Sequence, residues 1–206
     1  MNYIILGAGG FAREVAWNIL NLDTTADFLF VDDITEIISV QIYRNEYKVI
    51  KDWRFPENFN YFTIGVGSPK AKRIMVEKAL ANGIMPRNTI IHPRAMIQDA
   101  EIGVGGVITS GVAITTNVKI GNYVVLNLNT TIGHDSIIED YVTCNPSCSI
   151  SGNVTLREGC FIGVGATILE KKIVGSYASV GAQACVVKDV LDNIIVVGIP
   201  AKELKK

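Results

Sequence analysis

The sequence predicts two joined folds: an α/β domain built on a small Rossmann-like parallel sheet, and an all-β parallel β-helix. The β-helix follows from an apolar residue at every sixth position between residues 90 and 186. A period of six fits neither an α-helix nor an alternating strand, and it is typical of coils built from hexapeptides. The α/β domain follows from strand-like and helix-like segments that alternate over residues 1–88, with a glycine-rich turn after the first strand.

Each hexapeptide supplies one short strand and one corner. The predicted interior residues are Ile90, Met96, Ile102, Ile108, Ile114, Ile120, Leu126, Ile132, Ile138, Cys144, Ile150, Leu156, Ile162, Ile168, Val174, Val180 and Val186. The residue two positions earlier is small or β-branched in nearly every hexapeptide, with Lys172 as the clear exception. We predict an unbroken phase, about five coils over residues 90–187, and a short tail after Val187.

The first 88 residues contain the elements of a small parallel sheet. The predicted elements are strands at 3–6, 28–31 and 61–67 and helices from 13 to about 22 and from 69 to about 82. Ser68 is placed to cap the second helix, Pro69 suits its first position, and Gly83 suits its end. The predicted domains are residues 1–88 and residues 89–206, and the second includes the short C-terminal tail.

Composition excludes several classes of function. The chain has 206 residues, is 49% hydrophobic and 19% charged, and has a net charge of −1, which gives little attraction to nucleic acid. No apolar run reaches the roughly 20 residues of a membrane span, and the N-terminus lacks the pattern of a signal peptide, so a cytoplasmic location is expected. The four cysteines form no C-x-x-C pair, so neither a metal site nor a disulfide framework is expected.

The glycine-rich turn at residues 7–12 precedes Asp32 and Asp33, which follow the next strand. The turn matches the pattern G-x-G-x-x-A, in which glycines let the backbone approach a phosphate at a helix N-terminus. A nicotinamide site is disfavoured, because 88 residues make only half of a dinucleotide fold. A nucleotide-linked ligand fits better, and a plain strand-to-helix turn remains the alternative.

His134 and Asp135 form the second candidate site. His134 follows the interior residue Ile132 by two positions, so it lies near a corner and faces outward. Histidine is the natural general base at neutral pH, and an adjacent carboxylate can fix its tautomer. The alternative is an exposed histidine in a turn. The other histidine, His92, precedes Pro93 and is interpreted as structural.

Several motifs together carry a resemblance to a known family. They are residues 7–10, Asp32 with Asp33, Asn127, His134 with Asp135, residues 152–154, residues 163–166 and the closing residues 198–202. The chain resembles the hexapeptide acyltransferases, whose β-helix is left-handed. Within them it is similar to the sugar acyltransferases with a small N-terminal α/β domain. These include PglD-like N-acetyltransferases of nucleotide-linked amino sugars and NeuD-like sialic acid O-acetyltransferases.

The resemblance implies a homotrimer whose active sites lie between neighbouring β-helices and use acetyl-coenzyme A, with no metal. It gives His134 the role of base, and Asp135 that of its supporting acid. It further implies a coenzyme site of Gly152, Val164, Ala182 and Lys202, and a substrate site of Gly9, Gly10, Phe11, Asp32, Asp33 and Asn127. Some members carry a second histidine nine residues after the base, where this chain has Thr143. A backbone N–H is then expected to stabilise the acyl oxygen.

The expected function is acetylation of the amino group of a nucleotide-linked amino sugar in surface polysaccharide or glycan synthesis. O-acetylation of a sialic acid or similar sugar is the nearest alternative. A non-enzymatic nucleotide or NAD sensor on a trimeric scaffold is the alternative from another class. The trimer is also expected because outward residues such as Val104, Val107 and Val125 would otherwise be exposed.

Overall fold

The computed structural model describes residues 1–204 and begins with a six-stranded sheet. Its elements are β1 (Asn2–Leu6), α1 (Gly10–Leu20), β2 (Asp27–Val31), β3 (Ser39–Ile42), β4 (Asn45–Ile50), β5 (Tyr61–Ile64), α2 (Pro69–Ala81) and β6 (Met85–Pro86). The strand order is β3-β4-β2-β1-β5-β6, and β1 pairs in parallel with both β2 and β5. β2 lies on one side of β1 and β5 on the other, so the strand order reverses at β1. The turns that follow β1 and β5 therefore lie side by side at the carboxyl end of the sheet, where ligands usually bind in such folds.

The predicted strands and helices of this domain are confirmed, with small differences at their ends. Ser68 caps α2, and its Oγ accepts a hydrogen bond from the N–H of Ala71 at 3.4 Å. The antiparallel hairpin of β3 and β4 was not predicted. Its two-residue turn contains Tyr43 in a left-handed conformation, with φ of 54°, where the glycine or asparagine that marks such a turn is absent.

The second part of the chain is the predicted parallel β-helix. Its strands are β7 (Ile90–Ile91), β8 (Met96–Ile97), β9 (Ala100–Ile102), β10 (Val107–Ile108), β11 (Ala113–Ile114), β12 (Val118–Ile120), β13 (Val125–Leu126), β14 (Thr131–Ile132), β15 (Ile137–Ile138), β16 (Thr143–Cys144), β17 (Ser149–Ile150), β18 (Thr155–Leu156), β19 (Phe161–Ile162), β20 (Thr167–Ile168), β21 (Ile173–Val174), β22 (Ser179–Val180), β23 (Cys185–Val186), β24 (Ile195–Val197) and β25 (Lys202–Glu203). They form three faces of eight, six and five strands, beginning with β7, β8 and β9 respectively. All pairs are parallel except β24 with β25.

The phase of the repeat is broken once near its start, so the prediction of an unbroken phase is wrong there. Ile91 and Ile97, not Ile90 and Met96, align with the interior isoleucines of the next coil. Met96 is 51% exposed, while Ile90 packs into the core of the N-terminal domain. The segment from Ile97 to the next interior residue is one residue short, and the phase is regular from there on.

The β-helix also continues beyond Val187, where the sequence predicted only a tail. Val190 and Val196 are buried in the same core as the earlier interior residues. Val190 bridges to Val174, and β24 extends the first face by pairing with β22. The spacing between the interior residues Val186 and Val190 is four residues instead of six. This shorter step hides the sixfold repeat in the sequence, although the coil continues.

The corners of the coils share one backbone conformation. Every sixth residue from 105 to 183 has a positive φ, between 53° and 75°. Most of these residues are not glycine, and a left-handed conformation repeated so regularly is imposed by the coil. Corner residues 18 apart therefore stack directly on one another. Asn117, Asp135 and Asn153 form one such stack.

The two domains meet where α2 lies against the first face. Lys72 of α2 is 1% exposed, and its Nζ donates to the carbonyl oxygens of Tyr123 and Val142 at 3.0 Å and to Thr143 Oγ1 at 2.8 Å. Burial lowers the pKa of Lys72 to about 7. Thr143 in turn donates to the carbonyl of Gly67. One lysine thus satisfies three acceptors across the junction.

The same junction corrects the expected exposure of the first face. Val107 and Val125 are buried, because they pack into the core of the N-terminal domain rather than facing a second subunit. We propose the division of the chain after residue 88, since β6 ends the first sheet at Pro86 and β7 begins at Ile90. Among residues 1–204, no helix is both long and apolar enough to cross a membrane.

Candidate active site

His134 lies at the corner between the second and third faces, just after β14. Its side chain is 60% exposed, and the neighbouring Asp135 is 44% exposed. Asp135 occupies the left-handed corner position, with φ of 59°. This backbone brings its carboxylate back beside the imidazole, so the coil itself determines how the two side chains meet.

The contacts of the pair select one tautomer of the imidazole. Nδ1 of His134 lies 2.7 Å from Oδ2 of Asp135, and Nδ2 of Asn117 donates to the other oxygen, Oδ1, at 2.6 Å. Hydrogen bonds from His134 and then Asn117 hold the pKa of Asp135 below its ordinary value. Because an ionised carboxylate only accepts, Nδ1 carries the proton and Nε2 keeps its lone pair. The pair is therefore arranged as a base whose reactive nitrogen points away from Asp135.

Gly152 lies one coil above His134, next to the ring. A Cβ added at Gly152 would be 2.5 Å from Nε2 of His134, closer than any side chain can lie. A side chain here would displace the imidazole. Among the described residues, the N–H of Gly152 donates to no backbone carbonyl. Gly152 therefore gives the ring its space and leaves a free donor beside it.

The other residues of the predicted coenzyme site, and Asn127 of the predicted substrate site, do not share this corner. Asn127, Val164 and Ala182 lie at the corner between the first and second faces, and Lys202 lies on β25 at the end of the first face. Val164 is 48% exposed. One chain therefore does not bring these residues to His134. Thr143, at the position of the second histidine, is buried against Lys72 and is not at the corner of His134 either.

In the N-terminal domain the two glycine turns pack closely together. A Cβ at Gly7, where φ is 109°, would lie 2.6 Å from Val66, and one at Gly65 would lie 2.9 Å from the Cβ of Ala12. These glycines are structural. The packing of the second turn, residues 65–68, against the first was not predicted, although its Gly-x-Gly-Ser pattern after a strand was a signal.

Gly9 and Gly10 are different, because a Cβ added there would have open space. Nothing lies within 4 Å of it at Gly9, and at Gly10 only the end of Arg13 does. Both glycines line a cavity of about 350 Å³, together with Ala8, Arg13, Ile37 and residues 39–41. Phe11 is half-buried against the domain core. The opening beside the N-terminus of α1 fits the predicted ligand position, and Arg13 adds a cation that was not predicted.

Asp32 and Oδ2 of Asp33 are occupied by contacts within the protein, whereas the buried Oδ1 of Asp33 has no hydrogen-bond partner among the described residues. Asp32 is buried, and it accepts from the N–H of Ala8 at 3.2 Å and from two N–H groups in its own loop. Asp33 Oδ2 accepts from Lys78 at 2.5 Å and from Trp53 at 3.0 Å, and the hydrogen bond from Lys78 is the main cause of its lowered pKa. These contacts support a structural role for Asp32 in shaping the glycine turn, not a direct bond to a ribose.

Known proteins share both halves of this architecture. A family model described as the PglD N-terminal domain matches residues 2–79. The acetyltransferase domain of PglB from Neisseria gonorrhoeae, solved in complex with acetyl coenzyme A, is 31% identical, with a TM-score of 0.87 over 98% of each chain. The chain belongs to the PglD-like hexapeptide-repeat acyltransferases. The predictions of family, fold class and left-handed β-helix are confirmed.

Two further relatives of this PglD-like chain act on one amino sugar. GDP-perosamine N-acetyltransferase of Escherichia coli O157:H7 is 33% identical over 136 residues, which are 61% of this chain and 59% of the relative. The chain thus spans less than two thirds of that protein. A variant of perosamine N-acetyltransferase from Caulobacter crescentus, in complex with CoA and GDP-perosamine, has the same fold, with a TM-score of 0.89 at 23% identity over 100% of this chain and 98% of that chain.

Proposed function

We propose that this protein transfers the acetyl group of acetyl-coenzyme A to the amino group of a nucleotide-linked amino sugar, in the synthesis of a surface polysaccharide or other glycan. The observation that carries the proposal is the exposed imidazole of His134, whose contact of Nδ1 with Asp135 selects the tautomer in which Nε2 can accept a proton. A base of this kind suits removal of a proton from an attacking amine. The relatives that bind acetyl coenzyme A or GDP-perosamine support the donor and the class of acceptor.

The reaction needs no covalent enzyme intermediate, because the thioester is already activated. The amine attacks the thioester carbonyl carbon while Nε2 of His134 accepts the proton that the nitrogen loses. The tetrahedral oxyanion accepts a hydrogen bond from the free N–H of Gly152, which takes the place of a second histidine. Its collapse breaks the carbon–sulfur bond. The imidazolium returns the proton to the leaving thiolate, giving coenzyme A and the N-acetyl sugar.

The division of the site between two corners supports a homotrimer. His134, Asp135 and Gly152 lie at one corner, whereas the proposed coenzyme residues Val164 and Ala182 lie at another. A neighbouring chain that brings its own second corner against His134 would complete the site. In this arrangement Lys202 of the neighbour lies toward the coenzyme phosphates and Asn127 toward the reacting groups.

We propose that the acceptor nucleotide binds in the N-terminal domain. The cavity beside Gly9 and Gly10 lies at the N-terminus of α1, which favours phosphate, and Arg13 adds positive charge. Phe11 and Asp33 stay in the proposal as neighbours of the nucleotide, while Asp32 acts through the shape of the turn. Because nucleotide sugars and acetyl-coenzyme A are cytoplasmic metabolites, a cytoplasmic location is part of the proposal.

A matched pair of acceptors tests the proposal. Acetyl-coenzyme A is supplied with UDP-, dTDP-, GDP- and CMP-sugars that carry either an amino or a hydroxyl group at the same position, and coenzyme A release is measured together with the product mass. We expect acetylation of an amino sugar only. Acetylation of the hydroxyl sugars alone would favour the O-acetyltransferase. A protein that binds nucleotide but neither binds nor turns over acetyl-coenzyme A would be a sensor, and the proposal would be wrong.

A further inference from the structure

Asn117 lies one coil below Asp135, in the same corner stack. Its Nδ2 donates to Oδ1 of Asp135 at 2.6 Å, while the opposite oxygen of the same carboxylate meets His134 at 2.7 Å. The three side chains form a chain of two hydrogen bonds that ends at the imidazole. The backbone N–H of Asn117 donates to Asp99 Oδ2 at 3.3 Å, which ties the asparagine to the coil below.

The backbone explains why the amide can reach the carboxylate. Asn117 and Asp135 have φ of 54° and 59° and occupy equivalent corner positions, so their side chains leave the coil in the same direction. An exposed carboxylate such as Asp135 has several rotamers of similar energy. A second, fixed donor removes that freedom and keeps one oxygen on Nδ1 of the imidazole.

We propose that Asn117 is a positioning residue for catalysis, which holds the Asp135 carboxylate in the orientation that fixes the tautomer of His134. The inference rests on the proposed function of His134 as the base. Asn117 itself does not reach the reacting atoms, so its effect passes through Asp135. Its loss therefore lowers kcat and leaves the KM for both substrates nearly unchanged.

Glycine is the appropriate replacement, because it removes the amide and adopts a positive φ without strain. We expect Asn117→Gly to lower kcat by roughly tenfold, which corresponds to the free energy of one hydrogen bond to a charged group. Asn193→Gly is the matched control, since Asn193 has φ of 62° at another corner and, within residues 1–204, no side-chain bond to a carboxylate. The control is expected to keep wild-type kcat and melting temperature.

A double-mutant cycle tests the route through Asp135. In an Asp135→Gly background, which removes both side-chain oxygens, Asn117→Gly is expected to cause almost no further loss of kcat, because the acceptor of the Asn117 amide is gone. If the losses of kcat in the two single variants instead multiply in the double variant, Asn117 acts independently of Asp135 and the proposal is overturned.

Asn117→Asp adds a pH readout. Only a protonated carboxyl can donate to Asp135, so the activity of this variant relative to wild type should fall as pH rises. The groups that bear on this carboxyl are Asp99, Asp135 and His134. An unchanged pH profile would contradict the role.

Nitrogen-15 NMR of the imidazole separates this inference from the proposed function, because it needs no substrate. The chain has only two histidines, so the His134→Ala spectrum assigns the signals. In the wild-type protein we expect one tautomer, with the proton on Nδ1. In Asn117→Gly we expect a mixture of tautomers. If the tautomer stays fixed in the variant, the positioning role is wrong even where acetyl transfer is confirmed. If the tautomer changes but no amino sugar is acetylated, the proposed function alone fails.

Discussion

The β-helix and the N-terminal domain use their polar side chains in different ways. In the β-helix, His134 and Asp135 lie on an exposed corner and contribute nothing to the apolar interior. In the N-terminal domain, Asp32 is buried and accepts hydrogen bonds from the backbone N–H of Ala8 and from two N–H groups of its own loop. On a regular scaffold an exceptional polar residue therefore points to chemistry, whereas a carboxylate in an irregular turn is first explained by the turn.

The largest effect is expected inside the β-helix, where two adjacent isoleucines form a matched pair. Ile138 is 1% exposed and Ile137 is 44% exposed on the same strand. Ile138→Ala should lower the free energy of unfolding by about 2–5 kcal/mol, because it leaves a cavity. Ile137→Ala should cost less than about 1 kcal/mol. Denaturant unfolding measures both, and equal losses would contradict the separation of interior from surface.

Lys72 tests the junction between the two regions through pH. Its folded-state pKa of about 7 lies below the ordinary value of 10.5, so between these pH values the folded protein has released a proton that the unfolded chain still binds. The contribution of Lys72 to the free energy of unfolding therefore rises with pH between these two values, by at most about 1.4 kcal/mol per pH unit. Below this pH range the contribution is constant.

The matched variant for this experiment is Lys72→Met, which keeps the length of the side chain without its charge. The stability of wild type relative to the variant should increase from pH 7 to pH 10, as measured by urea unfolding at each pH. The difference between the two proteins removes the contribution of buried cysteines and tyrosines that also titrate there. Parallel stability curves would show that Lys72 does not titrate in this window.

The two carboxylates of the N-terminal domain should differ in their effect on stability. In Asp32→Asn, the new amide group either points its N–H at the N–H of Ala8 or leaves that N–H without an acceptor. Either outcome should lower the free energy of unfolding by about 1–3 kcal/mol. Asp33→Asn weakens a contact with the half-exposed Lys78 and should cost less than about 1 kcal/mol. Melting temperatures compare the two variants. A larger loss for Asp33→Asn would reverse the structural role given to Asp32.

Two glycines of the first turn offer the smallest and most selective test. Gly10→Val should leave folding intact, since the added side chain has open space, but raise the KM for the acceptor about tenfold by crowding the cavity. Coenzyme A affinity should not change. Gly7→Ala should instead lower the melting temperature, because Gly7 has positive φ and lies against Val66. Loss of coenzyme binding in Gly10→Val would place the acceptor elsewhere.

Much of the fold follows from the sequence, because the sixfold period defines the interior of the coils. The period failed where neighbouring residues were equally apolar, as in Ile90 with Ile91, or where a coil shortened before Val190. His134 and Asp135 could be predicted as a pair because they are adjacent. Asn117 could not, since its contact depends on the stacking of corners. Lys72 reads in the sequence as a surface lysine on a helix, and only the packing of the domains shows that it is buried.

The most direct test of the account is the pH dependence of kcat/KM in His134→Ala, with an amino-sugar nucleotide as acceptor. The wild-type profile should have a limb that rises with pH, as a general base requires, and the variant should lose that limb and about 10²–10⁴-fold in kcat while still binding acetyl-coenzyme A. His92→Asn is the control, because its side chain can still accept from the N–H of Arg94. Near wild-type turnover by His134→Ala, with the limb retained, would contradict the role of His134 as the base.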